Sequence, residues 1–193
     1  PMYNSREGSG WSWFWEAYCV NKRSITLNLG TIQGQSILNE LLPSVDFLLH
    51  SCRPNYLESL GLTYERLSAI NPSLVVAAMT PFGLTGPYSD FKSTDIVAWS
   101  MGGMSYVTGS RERPPVRISF PQAELHAGAQ AAVGVMCAFW NRQKNGEGQL
   151  VDVSTQVAVV WTLMNATQFP QLHGFNVERN GPYNKAIDLD VLA

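Results

Sequence analysis

Short apolar segments alternate with helical segments along most of this chain, and this alternation is the feature that most restricts its fold. The stretch "LVVAAMTPFG" (74–83) begins as an apolar run of strand length and then passes into a loop. The short segments "VDFLLHS" (45–51) and "LVDVS" (150–154) are also predicted as strands. Because strands that alternate with helices are typical of α/β folds, we predict a parallel sheet with flanking helices.

The predicted helices have recognisable starts. Residues 31–42 carry apolar side chains at helical spacing behind Thr31, a typical N-cap residue. Thr63 is predicted to cap a second helix, and a longer helix is predicted over 121–144. The segment "SITLNL" (24–29) instead alternates apolar and polar residues, which predicts a strand or an extended edge.

The composition is that of a globular protein with an unusually apolar surface. Hydrophobic residues make up 45% of the 193 residues, which excludes a disordered chain. Charged residues make up only 15%, and the chain contains six Trp, seven Tyr and eight Phe. We therefore expect part of the surface to be covered by a partner or by further chain.

Charge and cysteine usage exclude several classes of protein. The net charge is −2 without a strong basic run, so we predict no nucleic-acid partner. Cys19, Cys52 and Cys137 show neither metal-ligand nor disulfide spacing, so we predict no metal site and a reducing, cytoplasmic location. The longest apolar run, 127–140, is too short to span a bilayer, so we predict no membrane partner.

Glu124 is the most notable single residue, because the helical segment that follows it, 127–140, carries no charge. A carboxylate in the first turn of a helix stabilises that turn through the free N–H groups and the helix dipole. The same field would keep a nucleophilic carboxylate ionised. Ala127, Gly128 and Ala131 follow on the same face of the predicted helix as Glu124, and all three have small side chains or none. Such a face can accept either an approaching ligand or another closely packed helix. Both interpretations of Glu124 remain open at this point.

Three stretches resemble the class III CoA-transferase family, which includes the formyl-CoA and carnitine CoA-transferases. They are "NKRSITLNL" (21–29), "SCRPNYLESLGLTYERLSAINPSLVVAAMTPFGLTGPYSD" (51–90) and "GEGQLVDVS" (146–154). The resemblance implies a Rossmann-like parallel sheet with flanking helices, which is part of the large CoA-binding and catalytic domain of an interlocked dimer.

The same resemblance implies a domain organisation. Residues 1–165 would form a partial large domain whose first strand is missing, and 166–193 would start the linker toward a small domain. The chain begins with Pro1 and ends in "KAIDLDVLA" (185–193), so we expect it to be a fragment of a longer protein.

The resemblance also implies a nucleophile. The family uses an aspartate at the start of a helix, four residues before a glycine, and this sequence has Glu124 and Gly128 in those places. Glutamate keeps the carboxylate on a stem that is one methylene longer. The implied activity is transfer of CoA from an acyl-CoA to a carboxylic acid, through an acyl–glutamyl anhydride and a glutamyl-CoA thioester.

Seven further residues match family positions that contact CoA, which is here a substrate. They are Arg6, Leu27, Asn28, Ser51, Cys52, Arg53 and Lys92. Arg53 and Lys92 are cations of the kind that bind phosphate, although Arg53 is also explained as a solvated arginine at a strand end. Ser59 stands where formyl-CoA transferase has a CoA-contacting arginine, so one charged contact is missing.

Two other functions are compatible with the resemblance. The change from aspartate to Glu124 motivates one alternative function, a non-catalytic CoA-binding subunit of a hetero-oligomeric CoA-transferase. The assembly would then be a paralogous heterodimer, whereas an active chain would form an interlocked homodimer or such a heterodimer. The family also contains α-methylacyl-CoA racemases, whose catalytic histidine and strand arginine are replaced here by Thr94 and Ala78. Without that histidine a racemase has no evident base, so we rank this function below CoA transfer.

Overall fold

The computed structural model of the protein describes residues 12–164 and 166–179. The chain divides into two compact units, residues 1–36 and 37–193. The predicted CoA-contacting residue Arg6 lies outside the described residues.

The first unit contains a short helix, a turn and the start of a second helix. Helix α1 (Trp13–Tyr18) begins at Ser12, whose hydroxyl accepts a hydrogen bond from the Trp15 N–H at 3.3 Å. Helix α2 (Ile32–Leu41) crosses into the second unit. Thr31 caps it as predicted, since its Oγ1 accepts from the Gly34 N–H at 3.1 Å.

Two alternatives were predicted for 24–29, a strand or an extended edge, and the strand is wrong. Residues 22–28 have no regular secondary structure, and no strand pair among the described residues includes them. A strand needs a hydrogen-bonded neighbour, which sequence alternation alone does not supply.

The second unit contains the sheet and the helices that surround it. In chain order its described elements are a 3₁₀ turn (Leu42–Ser44), β1 (Phe47–His50), α3 (Pro54–Ser59), α4 (Tyr64–Ile70), β2 (Val75–Thr80), α5 (Asp95–Met101), α6 (Met104–Val107), α7 (Gln122–Asn145), β3 (Leu150–Ser154), α8 (Thr155–Thr162) and α9 (Phe169–His173). The three strands predicted at 45–51, 74–83 and 150–154 are all present.

The three strands form one parallel sheet in the order β1-β2-β3, which confirms the predicted α/β class. Leu48 of β1 lies opposite Val76 of β2, and Ala78 of β2 lies opposite Asp152 of β3. Because β2 has a neighbour on each edge and helices packed against the sheet, its residues 75–78 are almost completely buried. This explains why β2 appears in the sequence as a continuous apolar run.

Helix α7 packs along the sheet through one stripe of small and apolar side chains. Positions three or four residues apart lie on one face of a helix, and the buried residues of α7 follow this spacing. They are Ala123, Ala127, Ala131, Val135 and Ala138. Val135 and Ala138 pack against Val75 and Ala77 of β2.

The amino end of α7 extends beyond the sheet. Its 24 residues span about 36 Å, whereas the five residues of β3 span about 17 Å. The two elements are joined by a short turn at Gly146, which has φ +77 and ends α7. Accordingly, Ala123 packs not on a strand but in a cluster with Ala98 and Trp99 of α5 and Val159 of α8.

Candidate active site

Glu124 is the third residue of α7, and its backbone is held by another helix. Pro121 occupies the N-cap position of α7 and provides no side-chain cap. Instead, the Asp95 carboxylate accepts a hydrogen bond from the Glu124 N–H at 3.1 Å. Asp95 is the first residue of α5, so the start of α7 is capped from a neighbouring helix.

Asp95 adjoins the candidate site, and the sequence did not reveal this position. Its position before an apolar helical run predicts a cap for its own helix. The N-cap of α5 is instead Thr94, and the Asp95 carboxylate faces the backbone of α7. The sequence shows an aspartate at the start of a helix. It does not show which helix that aspartate caps, because the capped end of α7 is 29 residues away along the chain.

The small residues that follow Glu124 divide into two groups. Ala127 and Ala131 are 3% and 1% exposed and pack against Val153 and Ala158, so they serve tight packing. Gly128 is exposed, and an added Cβ there would have no other atom within 4 Å. The Glu124 side chain is also exposed, so open space lies beside this carboxylate at the position one turn along α7.

A loop over 83–94 connects β2 to this region. It starts at a hydrogen bond from the Leu84 N–H to the Asp152 carboxylate at 3.0 Å. The Tyr88 and Phe91 rings pack on each other with a centroid distance of 5.2 Å, and the buried Phe82 ring lies beside both. Lys92 is exposed near the end of the loop, three residues before Asp95 and thus within about 11 Å of it along the backbone.

The predicted CoA-contacting residues Ser51, Cys52 and Arg53 follow β1 directly. Arg53 is exposed at the N-cap position of α3. Two residues later, the Asn55 Nδ2 donates a hydrogen bond to the Asp90 carboxylate at 3.0 Å. This bond joins the segment with Arg53 to the loop with Lys92, so the structure brings these two predicted regions together.

Burial shifts the pKa values of two side chains near the end of β1 in the direction that favours their neutral forms. Burial raises the pKa of the Cys52 thiol, which disfavours a thiolate at this position. Burial lowers the pKa of His50, and its buried Nδ1 has no hydrogen-bond partner among the described residues. Neither group has the features of an activated nucleophile or a charged phosphate ligand.

The remaining predicted CoA-contacting residues lie in the first unit. The Asn28 Oδ1 accepts from the Gly30 N–H at 3.0 Å, and the Asn28 carbonyl accepts from the Thr31 hydroxyl at 2.9 Å. A Cβ on Gly34 would lie 1.8 Å from that carbonyl oxygen, so glycine is required where α2 meets this turn. Leu27 is half-buried at the start of the same turn.

His126 does not point to acid–base chemistry. Its ring stacks on Trp99 of α5 at a centroid distance of 6.4 Å and an interplanar angle of 16°. Within the described residues, no three His, Cys, Asp or Glu side chains come together as a metal site would require. None of the described helices is both long and apolar enough to cross a membrane.

Comparison with known sequences identifies a family. The sequence model of CoA-transferase family III matches residues 1–188. The succinyl-CoA–D-citramalate CoA-transferase of Chloroflexus aurantiacus is 38% identical over 168 residues, which are 87% of this chain and 42% of that relative. Subunit BbsE of the succinyl-CoA:(R)-benzylsuccinate CoA-transferase of Thauera aromatica is 37% identical over 174 residues, 90% of this chain and 42% of the relative. The chain thus spans less than half the length of these relatives.

Solved structures agree with this match. A CAIB/BAIF family protein from Brucella suis superposes with a TM-score of 0.79 at 30% identity, over 84% of this chain and 45% of that protein. Rv3272 from M. tuberculosis superposes with a TM-score of 0.73 at 28% identity, over 79% of this chain and 42% of that protein. The α/β arrangement described above is therefore shared with both proteins.

Proposed function

Because this chain belongs to CoA-transferase family III, we propose that the protein moves CoA from an acyl-CoA donor to a carboxylic acid acceptor, with Glu124 as the nucleophile. The observation that carries the proposal is the placement of Glu124. It is an exposed carboxylate in the first turn of α7, beside the open space at Gly128 and with its backbone held by Asp95. Such a carboxylate is ready to meet a thioester without rearrangement of the helix.

The proposed reaction has two halves. A Glu124 carboxylate oxygen attacks the thioester carbonyl, the C–S bond breaks, and CoA leaves as a thiolate from an acyl–glutamyl anhydride. The thiolate then attacks the glutamyl carbonyl and expels the donor acid as a carboxylate, which leaves a glutamyl-CoA thioester. The acceptor carboxylate enters, and the same steps in reverse transfer CoA to it.

The structure limits which groups can stabilise the oxyanions of these steps. The Glu124 N–H already donates to Asp95, so it is not available to an oxyanion unless that carboxylate moves away. We therefore assign the role of donor to other N–H groups, and we assign to Asp95 the orientation of the nucleophile.

We assign recognition of CoA first to the two regions that the Asn55–Asp90 hydrogen bond joins. Arg53 and Lys92 provide charge for phosphate groups, and Ser51 and Cys52 provide the adjoining surface. We also propose Arg6, Leu27 and Asn28 as residues that contact CoA, as the family resemblance implies.

The proposal includes an assembly and a location. Exposed aromatic and apolar side chains, such as Trp161 at 73% and Trp140 at 68%, suit a protein that is covered by a partner. We propose an interlocked homodimer or a paralogous heterodimer. The three cysteines are all unpaired, which suits the cytoplasm.

A second function is favoured by one observation, the presence of Glu124 where the family has aspartate. A relative that is 37% identical, BbsE, is named as a subunit, which supports a hetero-oligomeric assembly. The alternative is therefore a non-catalytic CoA-binding subunit whose partner carries the nucleophile. A racemase is disfavoured, because Ala78 is fully buried within β2 and Thr94 cannot act as a base.

The test is to trap the covalent intermediate. The full-length protein, with any partner, is incubated with a panel of acyl-CoAs and hydroxylamine, digested with trypsin and analysed by mass spectrometry. Tryptic peptide 118–142 contains Glu124 as its only carboxylate side chain, so a hydroxamate there identifies the site.

Two variants control this experiment. Glu124→Gln should abolish both the hydroxamate and transfer, whereas Glu124→Asp should retain both, because it keeps the carboxylate. If wild type binds CoA and transfers it while peptide 118–142 stays unmodified, and Glu124→Gln leaves transfer nearly unchanged, Glu124 is not the nucleophile and catalysis must be sought in another subunit.

A further inference from the structure

One side-chain hydrogen bond joins the two regions that carry the predicted phosphate ligands. Asn55 is the second residue of α3, Asp90 lies in the 83–94 loop, and their contact connects residues 35 positions apart. Arg53 precedes Asn55 by two residues, and Lys92 follows Asp90 by two residues. Each cation is therefore within about 7 Å, along the backbone, of one end of this hydrogen bond.

The two acids next to Lys92 in the sequence both accept hydrogen bonds from other groups. Asp90 accepts from Asn55, and Asp95 accepts from the Glu124 N–H. Neither Arg53 nor Lys92 forms an ion pair with any residue in the described ranges 12–164 and 166–179. Arg53 and Lys92 thus lie, without ion pairs, on two segments that are joined by a hydrogen bond. The Asp90 carboxylate near Lys92 accepts that hydrogen bond from the Asn55 side-chain amide.

The ends of the loop are anchored independently of this bond. Its first residues are held by the bond between the Leu84 N–H and Asp152, and its last residues lead into Asp95. The portion that carries Lys92 lies between these anchors. The Asn55–Asp90 bond therefore adds a link between the start of α3 and the part of the loop that carries Lys92.

We propose that Asn55 and Asp90 are a pair of positioning residues that set the spacing of Arg53 and Lys92 for the phosphate groups of CoA. The pair also keeps the Asp90 carboxylate from neutralising either cation. This inference rests on the proposed function, since it takes CoA as the ligand.

The test exchanges the two side chains. Asn55→Asp places two carboxylates opposite each other, and we expect the KM for acyl-CoA and the Kd for CoA to rise about tenfold with little change in kcat. Asp90→Asn leaves an amide oxygen that still accepts from Asn55, so a rise of about twofold is expected. The double variant Asn55→Asp/Asp90→Asn restores the bond with its direction reversed, and both constants should return to within about twofold of wild type.

The double variant separates positioning from simple charge. Asp at position 55 places a negative charge two residues from Arg53 in both Asn55→Asp and the double variant. If the tenfold rise persists in the double variant, the effect is electrostatic and the positioning role is wrong.

A second substrate provides a matched control. A pantetheine thioester has the reactive end of acyl-CoA but lacks the nucleotide and its phosphates. The variants should use it as well as wild type does, and an equal loss on both substrates would overturn the proposal.

Failure of the proposed function has a different signature. If wild type binds CoA but transfers none, the function is wrong, and the Kd values still decide whether Asn55 and Asp90 position the cations. If wild type binds no CoA in isothermal titration calorimetry, the positioning proposal is overturned together with the CoA site.

Discussion

The two ends of α7 are held in different ways. At the carboxyl end, the Arg142 guanidinium pairs with Asp46 at 2.7 Å, donates to the Ser73 carbonyl at 2.9 Å and lies 4.6 Å from the centre of the Phe139 ring. At the amino end, the Ala123 methyl is buried, and one hydrogen bond from the Glu124 N–H reaches Asp95.

This difference separates the end of α7 that stabilises the fold from the end to which we assign the chemistry. Contacts at the carboxyl end involve charge, aromatic rings and the backbone that leads into β2, so they stabilise the join between α7 and the sheet. The amino end is packed on one face only, and its other face carries the exposed Glu124 and Gly128. Substitutions at the carboxyl end should lower the free energy of unfolding, and those at the amino end should change catalysis.

The largest effect is expected for Gly148→Ala, just after the carboxyl end of α7. An added Cβ would lie 1.9 Å from the Leu74 carbonyl oxygen and 2.4 Å from its carbon, both of which are backbone atoms. We expect a loss of about 3 kcal/mol or more in the free energy of unfolding, because the start of β3 must move away from β2. Urea denaturation of the full-length protein measures this loss, and a change below 1 kcal/mol would contradict the described packing.

The next effect is expected for Arg142→Leu. The Arg142 side chain is only 10% exposed, so its loss removes the contacts with Asp46, Ser73 and Phe139 and leaves the partly buried Ser73 carbonyl without this donor. We expect a loss of about 2 kcal/mol in the free energy of unfolding. The control is Lys144→Leu in the same final turn, which removes the charge near the helix end but should cost less than about 1 kcal/mol. Equal losses for both variants would reduce the role of Arg142 to a helix-dipole effect.

At the amino end, Asp95→Ala should affect catalysis more than stability. Loss of a helix cap costs about 1 kcal/mol, and loosening of the Glu124 backbone should lower kcat about tenfold. The KM for acyl-CoA should stay nearly constant, since Asp95 is not assigned to CoA binding.

Asp95→Asn is the matched control for this prediction, because its amide oxygen can still accept from the Glu124 N–H. It should recover most of kcat. A loss of kcat equal to that of Asp95→Ala would show that the charge of Asp95, and not its hydrogen bond, matters.

The smallest change in the free energy of unfolding is expected for Gly128→Ala. Alanine is favoured over glycine in a helix interior, and no other atom lies within 4 Å of the new Cβ, so stability should rise by about 0.5–1 kcal/mol. Transfer activity should fall several-fold if the space beside Glu124 receives the substrate.

Gly134→Ala is the control on the same helix, since its Cβ would lie 2.6 Å from Val151 and should destabilise the protein. Unchanged activity in Gly128→Ala would mean that this face is not used.

Much of the fold was predictable because its signals are local. Thr31 and Thr63 cap α2 and α4 as their sequences indicate, and β2 is as buried as its apolar run suggests. The strand predicted for 24–29 is wrong because a strand also depends on a partner that the local pattern does not specify.

The sequence by itself determined helices α2, α4 and α7, the three parallel strands and the place of Glu124 in the first turn of α7. Only the tertiary structure decided that Asp95 caps α7 and that Asn55 meets Asp90, since these bonds join residues 29 and 35 positions apart. It also decided that Ala127 faces the core while Gly128 faces open space. The physical reason is that caps and periodicity act within one or two helical turns, whereas such contacts depend on how separate elements pack together.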